Sequence, residues 1–274
     1  MIIIKLSKND LKLIKYLYEC EFLTRKQIKN YVWGNLHNVH IRRRLPKLRK
    51  NNYIQYKDNP FSFVNEKYVY MLDYFADDSL MMTGTFEQYK KMCDEFNLNY
   101  IDLNNYTFKN ELDDRRLNKQ YHLNNVRFKL EEIGVKNWIP YYVFRNLSMS
   151  NKIKKSDNKT FDVYPDGIVQ EKNLIGIELE RKIKPRIHYR DLFVKYDKED
   201  LFKVVIFVTY GRNSGNIYNG LQGKLNPEFS YDYDDLSRNF YNKFFVIKYS
   251  DLMNGNYDIY NKKMDKTINI KNII

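Results

Sequence analysis

The segment that most narrows the folds open to this chain is Leu23-Thr24-Arg25-Lys26-Gln27-Ile28. Thr24 can cap a helix with its hydroxyl while Gln27, at the third helical position, reaches back. Leu23 and Ile28 stand where a hydrophobic staple closes over such a cap. An earlier start of the same kind, Ser7-Lys8-Asn9-Asp10, precedes Leu11, Ile14 and Leu17 at helical spacing. Gly34 and Asn35 end the second helix, and a third is predicted from about His37 to Lys50, with Ile41, Leu45 and Leu48 on one face. Pro46 should kink or shorten it.

At ~100° per residue, His40, Arg43, Lys47 and Lys50 point away from that apolar face, flanked by Arg42, Arg44 and Arg49. Beyond it, Tyr53–Lys57 and Lys67–Leu72 alternate as strands around the turn Asp58-Asn59-Pro60. Three helices followed by a hairpin is the order of a winged helix-turn-helix. A helix buried on one side and cationic on the other suits the major groove of double-stranded DNA. The candidate DNA-binding residues are His40, Arg42, Arg43, Arg44, Lys47, Arg49 and Lys50, with Lys57 on the hairpin. The alternative is an ordinary solvated charged face.

Charge distribution favours the groove. The net charge of the 274 residues is +13. Residues 1–57 hold 14 Lys and Arg against 3 Asp and Glu, and everything after them nets only +2. Cations concentrated in one module are what counterion release from a polyanion requires.

Residues 1–78 are expected to form this module, 79–116 a helical connector, and 117–274 an α/β domain with a central mixed sheet. In the connector Phe86, Tyr89, Met92, Cys93 and Phe96 make a helical stripe of core type. A helix from Leu117 carries Leu123, Val126, Leu130 and Ile133 on one side and stops at Gly134. Strands are predicted over Trp138–Phe144, Phe161–Val169 and Leu174–Arg181, separated by a polar loop at Asn146–Lys159 and a turn at Glu171–Asn173. A helix over Ile187–Lys198, a buried apolar strand over Lys203–Thr209 and a last strand at Phe244–Lys248 complete the domain.

On that sheet Asp166 follows a proline, and period-two alternation puts Glu178, Glu180 and Lys182 on one face of the next strand. A Pro-Asp followed by an acid-x-Lys on the adjoining strand is the arrangement of PD-(D/E)xK nucleases. Asp166, Glu178, Glu180 and Lys182 are therefore the candidate catalytic residues, with the three acids as Mg²⁺ ligands if the site is active. The competing reading is a solvent-facing charged edge.

With these segments in order, the chain resembles the replication-relaxation family of plasmids and other mobile elements, which joins an amino-terminal winged helix to a nuclease-like α/β domain. The resemblance spans most of residues 7–210. It rests on Leu11–Leu17 with Phe22-Leu23-Thr24, on Arg42-Arg43-Arg44-Leu45, and on Tyr68-Val69-Tyr70-Met71-Leu72. Further along it rests on His122 with Asn125-Val126-Arg127, on Pro165-Asp166, on Glu178-Leu179-Glu180 and on Tyr196. The chain departs from the family at Glu180, where Asp is usual, and at Lys182, where small residues are common. The resemblance implies a role in replication or transfer of the element, with replication or relaxosome proteins and a second copy of the chain as protein partners.

Other classes fit poorly. No stretch approaches the ~18 apolar residues of a membrane span, and Met1–Lys5 is too short for a signal-peptide core. Two cysteines make neither a disulfide framework nor a zinc site. The cytoplasm is the expected compartment. A relaxase would need paired histidines on one strand, and His37, His40, His122 and His188 do not supply them; no phosphate-binding Gly-x-x-x-x-Gly-Lys loop exists. Three readings stay open: a DNA-binding protein of a mobile element, a Mg²⁺-dependent endonuclease targeted by the winged helix, and a repressor or antitoxin.

Overall fold

The computed structural model describes residues 4–34, 36–60, 66–73, 76, 82–100, 114–149, 153–155, 160–182, 184–199, 201–211, 215–217, 242–261 and 265–273. It is a mixed α+β structure with a seven-stranded mixed sheet, a small three-stranded antiparallel sheet and a two-stranded sheet of Asn99–Tyr100 with Ile153–Lys154. Its residues divide into two compact units, 1–95 with 100–124, and 96–99 with 125–274. Among the described residues no helix is long and apolar enough to cross a membrane.

In the first unit, α1 (Lys8–Cys20) starts at a complete capping box, in which the Ser7 hydroxyl accepts from Asp10 N–H and the Asp10 carboxylate accepts from Ser7 N–H. Thr24 and Gln27 make the same reciprocal pair at the start of α2 (Arg25–Gln27), which continues as a π-helical turn over Ile28–Val32. Gly34 ends it in the left-handed region, at φ +57°. The third helix, α3 (Asn38–Lys50), is capped by the His37 imidazole and buries Ile41, Leu45 and Leu48. It runs through Pro46 without stopping. The proline is exposed and takes an N–H from the ladder, while Leu45 and Leu48 are held in the core on either side of it.

Two strands, β2 (Ile54–Asp58) and β3 (Tyr68–Leu72), form the expected hairpin. Sequence reading missed that β1 (Leu23–Thr24) pairs antiparallel with β3, giving the order β1-β3-β2; two residues carry no alternation to read. The helix α4 (Thr85–Glu95), drawn from the stretch expected to connect domains, buries Phe86, Tyr89, Met92 and Cys93. Phe86 meets Tyr18 edge-on at 6.1 Å, and Lys15 donates to Gln88 at 2.8 Å. Residues 101–113 of that stretch lie outside the described residues. The first half of α5 (Asp114–Glu132) completes this unit: Leu117 joins Phe22, Val69 and Met71, and Asn124 donates to the carbonyls of Cys20 and Phe22.

Asp10 also ties α3 to α1. It is 1% exposed and receives the Arg44 guanidinium at 2.6 and 3.0 Å. Burial alone would raise its pKa, but the Arg44 hydrogen bonds and the Ser7 donors outweigh burial and hold the carboxyl below its ordinary value. A carboxylate with a depressed folded pKa stabilises the fold above the ordinary Asp range and loses that contribution as the pH falls through the folded value. Asp10→Asn should therefore lower the urea midpoint at neutral pH, a loss of about 1.5–3 kcal/mol as for a hydrogen bond to a charged group, and the gap from wild type should close below about pH 3.8. A midpoint difference that persists unchanged in acid would rule the ion pair out as its source.

The second unit is built on the seven-stranded sheet. Its strands are β4 (Trp138–Pro140), β5 (Gly167–Gln170), β6 (Leu174–Glu180), β7 (Phe202–Thr209), β8 (Phe244–Lys248), β9 (Asp258–Asn261) and β10 (Lys266–Asn269). They lie in the order β10-β9-β8-β7-β6-β5-β4, parallel between β6 and β7 and between β7 and β8, and antiparallel elsewhere. Every residue of β6 is buried. The connection from β6 to β7 is α7 (Arg186–Glu199), whose Phe193 packs on Phe207 and Phe244 at 5.4 and 4.6 Å.

Three sequence expectations change here. The predicted strand Trp138–Phe144 ends at Pro140, and α6 (Tyr141–Met149) follows, taking up the start of the predicted polar loop. The predicted strand Phe161–Val169 begins only at Gly167. Phe244–Lys248 is not the last strand, because β9 and β10 pair beyond it.

Candidate functional sites

The cationic side of α3 is open. His40, Arg42, Arg43, Lys47 and Lys50 are exposed, opposite Ile41 and Leu48 at 0% and Leu45 at 4%. Two of the predicted contacts are engaged elsewhere. Arg44 is held by Asp10 and by the Lys5 carbonyl at 3.0 Å. Arg49 lies on the Tyr56 ring, 4.1 Å from its centroid, and donates to the Tyr56 hydroxyl at 2.8 Å. Lys57 is half-buried on the hairpin. His40, Arg43 and Lys47 border a cleft of about 290 Å³ floored by Trp33 and Leu36, in which the Trp33 indole donates to the Asn9 carbonyl at 2.8 Å.

A second group of cations was counted in the sequence but given no site. Arg25, Lys26 and Lys29 of α2 and Lys67 of the hairpin surround a cleft of about 510 Å³. The signal for the first three was the excess of charge in residues 1–57, only part of which belongs to α3; Lys67 lies outside it.

In the second unit, Asp166 immediately precedes β5. Its carbonyl accepts from Tyr141 N–H at 3.1 Å and its carboxylate from Leu179 N–H at 2.7 Å. The register pairs Gly167 with Ile177, so Asp166 stands opposite Glu178 one step further on. Glu178 and Glu180 share that face of β6, and all three acids are buried, at 8, 8 and 2% exposure. Tyr196, reached in the sequence only through the family resemblance, donates its hydroxyl to Glu178 at 2.5 Å. Burial, then the negative charge of Glu178 with Asp166 and Glu180 behind it, pushes the Tyr196 phenol well above its usual range. Glu180 receives Lys184 at 2.7 Å and the Tyr189 hydroxyl at 3.4 Å. Burial and that carboxylate push Tyr189 up to about 12.

Lys182 does not join this face. The strand ends at Glu180, and Lys182 is exposed in the bend after it. The alternation that placed it beside Glu180 stops where the chain turns toward Pro185, and the lysine that folds back onto Glu180 is Lys184. Mg²⁺ demands a near-octahedral set of oxygens. Among the described residues no three His, Cys, Asp or Glu side chains converge to hold a metal ion. Leu179, Tyr196, Tyr189 and Lys184 instead supply donors to these carboxylates from within the chain. As held, the three acids do not fit a shared metal.

No family model, curated protein or solved structure matches this chain.

Proposed function

We propose that the first unit is a winged-helix module that binds double-stranded DNA, with α3 in the major groove and the β2–β3 hairpin as the wing. The observation that carries this reading is the two-sided character of α3: Ile41, Leu45 and Leu48 fix it in the core while Arg42, Arg43, Lys47 and Lys50 face solvent. The order of elements, α1-β1-α2-α3-β2-β3 with the sheet ordered β1-β3-β2, supports it, as does the crowding of cations into the same unit. Phosphates on both sides of the groove would meet such a helix with forked and pointed cations, and base edges would meet Arg43 and His40.

The resemblance to the replication-relaxation family supports a place on a plasmid or mobile element, in its replication or transfer. In this reading the second unit, nuclease-like in its Pro-Asp and Glu-x-Glu strands, serves assembly on DNA. The hydrogen bonds that hold Asp166, Glu178 and Glu180 favour this over cleavage.

One experiment tests both halves. Incubated with supercoiled plasmid of the host element and Mg²⁺ or Mn²⁺ at low ionic strength, the chain should retard the plasmid on a gel and leave it supercoiled. Failure to retard any duplex would overturn the binding role. Nicked plasmid that disappears with Asp166→Ala would replace the assembly role with an endonuclease.

A further inference from the structure

The hairpin carries more aromatic surface than a wing lying on phosphates needs. Tyr56 and Tyr70 are opposite partners in the register, and Tyr68 lies two residues along the same face as Tyr70. The ring centroids of Tyr56 and Tyr68 are 4.4 Å apart, those of Tyr56 and Tyr70 are 6.4 Å apart, and Arg49 covers Tyr56 from the helix side. The three rings thus buttress one another. Two of them, Tyr68 and Tyr70, are half-buried and line the 510 Å³ cleft together with Arg25, Lys26, Lys29 and Lys67.

The cleft has one carboxylate, Glu66, which accepts from Lys26 N–H at 2.6 Å. The start of α2 is therefore occupied by the chain itself; of the four side-chain cations around the aromatic wall, Lys67 lies over the Tyr68 ring, 5.0 Å from its centroid, and would swing aside to a phosphate as a base takes its place. A neighbouring cleft of about 550 Å³ shares Lys29, Asn30 and Asn38 with the first and runs on to His37. The shared residues set the two clefts side by side, from the tyrosines to the first residues of α3.

A paired base keeps its faces inside the helical stack and cannot use a ring at the wall of a cleft. An unpaired base can, while its phosphates run along the cations, and such stacking tolerates any sequence. The geometry points to these clefts as a seat for a short single strand of DNA, its bases against Tyr68 and Tyr70 and its phosphates on Arg25, Lys29 and Lys67. Because the clefts reach the start of α3, the preferred substrate is a duplex continued by an unpaired strand, as at a melted site. This rests on the duplex-binding reading of α3, and the test separates the two.

The full chain is titrated by fluorescence anisotropy against a labelled blunt duplex, the same duplex carrying an oligo-dT tail on either strand, and oligo-dT alone. A tail on one strand should tighten binding at least tenfold. Tyr68→Leu with Tyr70→Leu should remove that gain, so that tailed and blunt duplexes bind the variant equally, whereas Tyr68→Phe with Tyr70→Phe should retain it. If the leucine pair fails to fold, Lys29→Glu with Lys67→Glu should erase the gain instead. A tail that adds nothing on either strand, or a gain that survives the leucine or glutamate pair, overturns the proposal. Tyrosine-dependent binding of oligo-dT without binding of blunt duplex would sustain it and overturn the role of α3.

Discussion

Replacing Arg43 and Lys47 together by glutamate should lower the affinity of the chain for duplex DNA by roughly two orders of magnitude or more at low salt. An arginine removed from a base contact costs about 1–3 kcal/mol and a lysine removed from a phosphate weakens binding further, with a factor of about ten for every 1.4 kcal/mol, and reversal adds repulsion to that loss. Both side chains are exposed on α3, so the fold should be untouched and the urea midpoint unchanged. The comparison that gives the result meaning is Lys172→Glu with Lys266→Glu, which changes net charge equally at exposed positions of the second unit. If that pair weakens binding as much, attraction is a property of total charge and not of α3. Arg44→Ala should behave differently again, costing stability through Asp10 more than it costs contact with DNA.

The second large effect concerns stability. Gly167 pairs with Pro140 across β4 and β5, and a Cβ built on it would sit inside the Trp138 ring. Trp138 is 2% exposed, and Gly167 directly follows Asp166. Neither the ring nor the strand has room to yield, so Gly167→Ala should cost at least the 1–3 kcal/mol typical of an overpacked core. The two tryptophans of the chain, Trp33 and Trp138, fall one in each unit. In a Trp33→Phe background, fluorescence then follows the second unit alone. Its urea midpoint should drop sharply with Gly167→Ala, and in urea melts followed by far-ultraviolet circular dichroism, which needs no tryptophan, Trp138→Leu should make the same change nearly neutral, a coupling a double-mutant cycle measures. Equal costs in both backgrounds would show that the ring is not the obstacle.

What could be read from the sequence follows the strength of each local signal. The caps at Ser7 and Thr24, the apolar stripe of α3, and the strands β6 and β7 were legible, because side-chain chemistry and periodicity there agree with tertiary packing. The failures lie where two periods meet. Trp138-Ile139-Pro140-Tyr141-Tyr142-Val143-Phe144 is apolar throughout, so its periodicity reads as one strand, and only Pro140 marks the switch to helix at Tyr141. Pro46 looked like a break because the rule for proline weighs one lost hydrogen bond, whereas the buried Leu45 and Leu48 hold the helix on both sides of it. At the acidic cluster, alternation found Glu178 and Glu180 but continued one step too far to Lys182. The turn that follows Glu180 hid Lys184 and Tyr189, since strand alternation cannot foresee the chain folding back onto that carboxylate. The cations of α2 and the hairpin were visible as charge but not as a site, since only folding brings Lys67 beside Lys29.

The salt dependence of duplex binding by the full chain bears most directly on the central claim. Anisotropy titrations with duplex DNA should give log affinity falling linearly against log salt, with a slope of about −3 or steeper, as expected when several of the α3 cations displace counterions from phosphates. Binding that is absent at the lowest ionic strength, or a slope near zero, would contradict it.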